Sequence, residues 1–595
     1  MPDAMRYAIV AEAYHDLEQA SGRLALIDRL ARLFRETPIP LLPTVALLCQ
    51  GKIAPDFAGV EIGVAERMAA RAVAESTGLT SEEVLTRARA VGDLGLATET
   101  LLAHDSTRAA GLEAGLEVGM VFDTLHEIAV SAGQGSQGRK LTLFGELLRR
   151  ATPLEARYLV RTCTGSLRLG IGTATILDAL ATVYAGAEGR RARPVLERAY
   201  NVCSDLGLVA ATLAAGGLEA VEAIHVRPGN PVRPMLAQRL SSTAEILAKL
   251  GGSCAAEYKY DGIRVQAHRT ADGRLELFTR RLERISAQFP DVVALLEAGL
   301  QPREAILEGE VVAADPDSGE LRPFQEVMYR RRVYGIAEAV RDVPVSMFCF
   351  DLLYADGQDL TRLPYLERRA RLAQALTLSP QLRLTTAAQV SDVEALEAAF
   401  QQAVADGCEG LLCKSLAPAS GYQAGARGWQ WIKLKRDYRT ELSDTLDLVV
   451  VGALYGRGRR AGIYGALLLA CYDPDADVFQ TVCKCGTGFS DADLAALPAK
   501  LAPLGRTERP ARVDARRHAD VWFEPGMVVE VIGAELTISP THTAAWGRLQ
   551  EDAGLALRFP RFTGRYRDDK APEDATTVEE VLGLFRVARR APAGS

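Results

Sequence analysis

The run Glu257-Tyr258-Lys259-Tyr260-Asp261-Gly262-Ile263-Arg264 decides how the rest of the chain is read. Its β-branched and aromatic content predicts a strand over Ala255 to Tyr260, a tight turn at Asp261-Gly262, and a second strand from Ile263 to His268. Side chains alternate along a strand, so Glu257 and Lys259 share one face and Tyr258 and Tyr260 the other. A lysine on the inner face of a β-platform is costly to bury while charged, so its pKa is expected to fall and its free amine to act as a nucleophile. The plain alternative is a surface lysine beside a hairpin turn.

Composition bears on that choice. Of 69 basic side chains only ten are lysine, leaving 69 − 10 = 59 arginines, and five of the ten (Lys259, Lys414, Lys433, Lys435, Lys570) lie in the motifs below. Arginine cannot deprotonate in a protein, so a lysine kept in an arginine-biased chain is a candidate for chemistry. The net charge of −7 argues against a uniformly basic nucleic-acid binder and leaves room for local basic surfaces. Ten scattered cysteines read as reduced core residues. Cys483-Lys484-Cys485 is too tight for a usual zinc pair and has no second pair. The absence of a bilayer-length apolar run and of a signal-peptide pattern at Met1-Pro2-Asp3-Ala4 sets a cytoplasmic expectation. At 595 residues, about three or four domains are expected.

Residues 1 to about 225 read as mostly helical, with a capping box at Thr80-Ser81-Glu82-Glu83, a helix stop at Gly78, and amphipathic spacing over Val64–Val73, Leu143–Leu154 and Ala174–Val183. Two Gly-rich basic loops, Gly133–Lys140 and Gly165–Gly172, interrupt this block. Each is either an ordinary connection or a place where backbone amides approach phosphates. The Pro- and Gly-dense His225–Pro234 marks a domain boundary. Beyond it short β-rich runs mix with helices, one of them over 392–405 capped by Ser391 and ended by Gly407. From Leu446 onward, runs such as Leu448–Leu454, Ala466–Tyr472 and Met527–Ile532 suggest a small barrel.

The middle region carries charges at spacing two. Glu308 and Glu310 share a strand face, as do Lys433 and Lys435, while Phe348 and Phe350 share another. Carboxylates to hold a divalent cation, lysines to neutralise phosphate oxygens and an aromatic to stack on a base are the parts of a nucleoside triphosphate site without a P-loop.

With these residues together, the sequence resembles the ATP-dependent DNA ligases of the archaeal and eukaryotic replicative type, within the covalent nucleotidyltransferase superfamily. The resemblance rests on Glu257–Arg264, Thr279–Glu283, Leu307–Glu310, Phe350–Tyr354, Glu409–Lys414, Trp431–Lys435, and Arg558-Phe559-Pro560-Arg561-Phe562 with Arg567–Lys570. It implies a multidomain fold. An all-α DNA-binding domain (1–228) would lead into an α+β adenylation (nucleotidyltransferase) domain (229–440) and a β-barrel OB-fold (441–595), wrapping nicked double-stranded DNA as a clamp.

The implied roles follow residue by residue. Lys259 would take AMP from ATP, with Lys433 and Lys435 neutralising the α-phosphate. Glu257 would meet the adenine edge, and Phe350 would stack on the base. Arg264 and Arg280 would hold ribose and phosphates. Glu310 and Glu409 would act on the ribose or on Mg²⁺, with Mn²⁺ as the alternative metal. Arg567 and Lys570 would orient the departing pyrophosphate. Lys414 stands between a pocket residue and a surface lysine, and Glu308 between a second carboxylate and an arginine partner. The helical domain's similarity makes Arg139, Lys140 and Arg168 expected DNA contacts. The implied enzyme is a monomer associated with the nucleoid, serving replication, repair and recombination. A sliding-clamp partner is expected by analogy alone, because the chain shows no short motif for one.

RNA capping enzymes and RNA ligases share Lys-x-Asp-Gly, yet neither is expected to carry the long helical domain. An NAD-dependent ligase would need a nicotinamide-binding domain before the lysine, and none is seen. A DNA-end clamp that lost its chemistry would not need the intact charged strands.

Overall fold

In the computed structural model, the strand that carries Lys259 and the strand after it belong to different sheets. The structure describes the chain except residues 1–3, 105–114, 187–188, 316–319, 323, 333, 436–444, 457–462, 534 and 591–595. The domain boundary expected at 440 lies outside the described residues. The chain divides into two compact units, Met1–Ala88 with Leu94–Leu434, and Arg89–Asp93 with Lys435–Ser595.

The first part of the first unit is helical, and its buried residues form one continuous core from Met5 to Val221. The expected capping box is present: the Thr80 backbone N–H donates to Glu83 at 2.8 Å, and Gly78 caps the preceding helix in the left-handed region at φ 71°. The amphipathic run Leu143–Leu154 is not one helix. Helix Ser136–Arg150 ends, and Thr152 caps a new helix, Pro153–Cys163, with Glu155 completing a capping box. The basic loop at 133–140 is also shorter than expected, since Ser136 already begins the helix that carries Arg139 and Lys140. The second basic segment, between Cys163 and Thr173, is a loop, with Arg168 at φ 53°.

Eleven strands follow: β1 (Leu236–Arg239), β2 (Cys254–Lys259), β3 (Ile263–Arg269), β4 (Leu275–Thr279), β5 (Ala305–Ala313), β6 (Val345–Ala355), β7 (Gln358–Asp359), β8 (Leu382–Leu384), β9 (Ala387–Val390), β10 (Gly410–Ser415) and β11 (Arg427–Lys435). One sheet runs β1-β11-β10-β2-β9 and the other β4-β3-β5-β6-β7, with β8 on β6. Asp261-Gly262 is thus no hairpin turn, because β2 pairs with β10 and β9, and β3 with β4 and β5. Gly262 is required at the crossing, where a Cβ would stand 2.3 Å from the Val311 carbonyl oxygen. Tyr260, Val312 and Phe348 pack in one cluster where the sheets meet, and the rings of Tyr260 and Phe348 stack at 4.0 Å. The expected helix 392–405 is Val393–Ala405, capped by Asp392 rather than Ser391, since the Asp392 carboxylate accepts from Ala395 N–H at 2.7 Å.

The second unit opens with β12 (Leu446–Tyr455), β13 (Tyr464–Asp473) and β14 (Val478–Cys485), then the short strands β15 (Gly505–Arg506), β16 (Val513–Asp514) and β17 (Val521–Phe523). It continues with β18 (Val528–Ile532), β19 (Glu535–Ser539), β20 (Gly554–Arg558) and β21 (Arg561–Tyr566). The curled sheet β15-β17-β12-β13-β14-β16, with β18 bridging β12 and β21, forms the OB-fold barrel. Cys483 and Cys485 are core residues here, and all ten cysteines are buried and free of disulfides. Among the described residues, no helix is long and apolar enough to cross a membrane.

Candidate active site

Lys259 ends β2 with its amine 2.5 Å from the Glu409 carboxylate and its side chain 28% exposed. Glu409 directly precedes β10, and its backbone N–H donates to the Lys259 carbonyl at 2.9 Å. Glu310 comes from the other sheet, where β5 places it opposite Arg264 of β3. Burial lowers the pKa of Lys259, but the charges of Glu409 and Glu310 raise it more, so the balance lies above the ordinary lysine value. The depressed pKa expected from sequence is therefore reversed in this state, because two carboxylates meet the amine. Glu310 is pushed up to about 7, first by burial and against the pull of Lys259 and Arg264.

Behind Lys259 lies a buried ionic cluster. Glu257 is 1% exposed and accepts from Tyr365 OH at 2.5 Å, from Arg369 at 2.6 Å and from the Lys414 amine at 2.5 Å. The surface reading of Lys414 is corrected, as the side chain is fully buried and its amine faces the rings of Phe350, Tyr365 and Trp431 at 4.6 to 5.0 Å. Glu409 and Lys414 are five residues apart, a spacing that regular alternation sends to opposite faces, yet both reach side chains of β2, Lys259 and Glu257, for a local reason. The strand starts only at Gly410, whose φ of 143° breaks the alternation. Burial lowers the Lys414 pKa, and Glu257 opposes the shift.

Glu308 is an arginine partner. Fully buried, it accepts from Arg264 at 2.8 Å and from Tyr422 OH at 2.9 Å. Arg264 also donates to the Met235 carbonyl at 2.8 Å and lies 5.3 Å from the Phe350 ring centroid. Its Nε–H is buried with no acceptor among the described residues. Phe348 and Phe350 belong to two packing clusters, Phe348 with Tyr260 and Phe350 with Trp431 and Tyr422. Lys433 and Lys435 alternate with buried Leu434 on β11.

Arg280 and Arg281 are exposed after β4 and line a cleft of about 860 Å³ with Lys52, Gly63, Thr164 and Arg233. Lys140 lies against this wall, its amine 3.4 Å from where a Gly63 Cβ would stand. Exposed Arg139 pairs with Glu127 at 2.5 Å, and Arg168 is exposed on its loop, lining a smaller cavity of about 350 Å³. Within the second unit, Arg567 and Lys570 both pair with Asp447, at 2.6 and 2.8 Å.

Sequence reasoning passed over Tyr365, Arg369, Tyr422, Gln266 and His268. The i, i+4 spacing of Tyr365 and Arg369 on helix Tyr365–Ala375 was available, as was the spacing of two from Arg264 through Gln266 to His268 on β3.

Among the described residues, no three His, Cys, Asp or Glu side chains could hold a metal by themselves. Two carboxylates, Glu310 and Glu409, do converge on Lys259, a hard-oxygen pair of the kind that binds Mg²⁺ together with substrate phosphates and water.

Comparison with known proteins gives one answer. Residues 6–181 match the family description "DNA ligase N terminus", 234–435 "ATP dependent DNA ligase domain" and 460–570 "ATP dependent DNA ligase C terminal region". The chain is 49% identical to "DNA ligase 2" of Thermofilum pendens over 594 residues, covering 98% of each chain. It is also 49% identical to "Probable DNA ligase" of Aquifex aeolicus over 586 residues, covering 98% of this chain and 99% of that one. A solved structure described as Pmar-Lig_Pre shares the fold, with a TM-score of 0.53 at 17% identity over 94% of this chain and 99% of that one. Since these matches reach the helical block, the two-sheet domain and the barrel alike, the chain belongs to the family of ATP-dependent DNA ligases.

Proposed function

We propose that the enzyme seals nicks in duplex DNA through a lysyl-AMP intermediate on Lys259. The observation that carries this reading is the Lys259 amine, part-exposed and held by Glu409 beside Glu310. In the first step Nζ, as the free amine, attacks the α-phosphorus of ATP. A P–N bond forms as the bond to pyrophosphate breaks, and the amine proton is lost to solvent. The 5′-phosphate at a nick then displaces Lys259 and takes the AMP. The 3′-hydroxyl attacks that 5′-phosphate, AMP leaves, and the strand is closed.

The other residues receive supporting roles. Lys433 and Lys435 neutralise the charge that builds on the α-phosphate. The unpartnered Nε–H of Arg264 donates to the nucleotide, and Arg280 holds its phosphates. Phe350 stacks on the base, while Glu257, anchored by Lys414, faces its edge. Glu310 and Glu409 would hold Mg²⁺, whose charge would offset the negative charge that keeps Lys259 protonated. Arg567 and Lys570 meet the leaving pyrophosphate. Arg139, Lys140 and Arg168 contact DNA phosphates, and Arg233, Arg280 and Arg281 in the 860 Å³ cleft suit the same polyanion.

The test is intact mass of protein treated first with pyrophosphate, then with Mg²⁺ and ATP, GTP or NAD, and last with nicked duplex. One AMP should be gained from ATP alone, be lost on adding the nick, and be absent in Lys259→Ala. Gain of GMP, or no gain from any nucleotide, would overturn the reading.

A further inference from the structure

Strand β3 presents Arg264, Gln266 and His268 at spacing two, and all three clasp the segment Gly229–Met235 that follows helix Leu206–Glu222. The Gly229 backbone N–H donates to His268 Nδ1 at 2.9 Å. A backbone N–H can only donate, so Nδ1 is bare and the ring proton sits on Nε2, which donates to Gln266 Oε1 at 2.9 Å. That oxygen also accepts from the Val232 N–H at 2.7 Å. With its oxygen fixed by two donors, the Gln266 amide must turn its NH₂ toward the Val232 carbonyl at 3.1 Å and Glu308 Oε1 at 3.3 Å. The other Glu308 oxygen accepts from Arg264 at 2.8 Å, and Arg264 returns to the same segment through the Met235 carbonyl.

Each orientation in this buried chain is set by the one before it, starting from a backbone N–H that cannot reverse. We propose that Gln266, oriented by His268, is a positioning residue for Arg264, and through it for the affinity of the enzyme for ATP. The proposal rests on the reading of Arg264 as a nucleotide contact. Gln266 fixes the carboxylate, the carboxylate fixes the guanidinium, and the orphan Nε–H is thereby aimed before the nucleotide arrives. The segment joining the helical block to the two sheets is then part of the same scaffold, so the pocket is formed only when that segment is seated.

The experiment is the steady-state kinetics of ATP-dependent nick sealing in Gln266→Met, Arg264→Met and the double variant, with a thermal melt of each. Gln266→Met should raise the KM for ATP about tenfold and change kcat less than about twofold, the pattern of lost ground-state binding. Arg264→Met should raise KM further, and adding Gln266→Met to it should change nothing more, because a positioning residue has no effect once the group it positions is gone. His268→Phe, which removes the donor to Gln266 while keeping an aromatic ring, should raise KM in the same direction and serves if Gln266→Met fails to fold. Additive effects in the double variant, or an unchanged KM in Gln266→Met beside a raised one in Arg264→Met, would overturn the proposal alone. An unchanged KM in Arg264→Met would overturn the pocket reading and this proposal with it.

Discussion

The charges around Lys259 and the charges of the basic N-terminal segments are held in opposite ways. Glu257, Lys414 and Glu308 are buried, and Glu257 and Glu308 each have two or more side-chain partners at hydrogen-bond distance. Arg139, by contrast, is exposed and paired with a single acid, Glu127. Burying an ion costs several kcal/mol, which only a full set of partners offsets, so the inner charges are fixed before any ligand comes. The outer arginine is exchangeable, and a phosphate can take the place of its carboxylate at little cost. The pocket is built to be rigid and the outer surface to be available.

The largest effect that should separate the two belongs to Glu257. Glu257→Gln leaves Lys414 buried without its countercharge and should lower stability by about 3–5 kcal/mol, read from urea unfolding. Part of this should return in E257Q/K414M, where the buried amine is gone and only the part-exposed Arg369 is left without its carboxylate. A loss below about 1 kcal/mol would show that the cluster is not a buried charge network.

A middle-sized effect belongs to His268, whose pKa burial lowers to about 3. Between about pH 6.5 and 3 the unfolded chain binds a proton that the folded chain refuses. The contribution of this ring to stability is therefore complete above about pH 6.5 and shrinks as the pH falls. From pH 7 to pH 5 it should account for about 2 kcal/mol, which His268→Phe should abolish in paired urea titrations at the two pH values.

The smallest change in stability should come from Arg139→Ala, within about 1 kcal/mol. Its effect should appear instead in binding to nicked duplex, where the slope of log affinity against log salt should fall by about 1. A slope unchanged by the substitution would remove Arg139 from the DNA surface.

What the sequence revealed follows the same division. Strand β2 was legible because local alternation and β-propensity determine it, and the capping box at Thr80 because its bonds span three residues. The break at Thr152-Pro153 carried an equally local signal, but amphipathic spacing runs straight through it and hid it. The partners of Glu257 could not be read, since Lys414, Tyr365 and Arg369 reach it from two other elements and only packing unites them. For the same reason the Lys259 pKa was misjudged. Burial can be inferred from one strand, whereas the opposing carboxylates arrive from β5 and from the residue before β10.

The crossing at Asp261-Gly262 divides the proposed reactive centre between two sheets. Lys259 and Glu409 are joined within one, while Glu310 and Arg264 ride on the other. The gap between the amine and the second acid is therefore a spacing between layers, set by how closely Tyr260 and Phe348 stack. A methyl group at position 262, wedged against the Val311 carbonyl, would act as a shim. It would part the layers and detune the amine while leaving the identity of every proposed catalytic side chain unchanged.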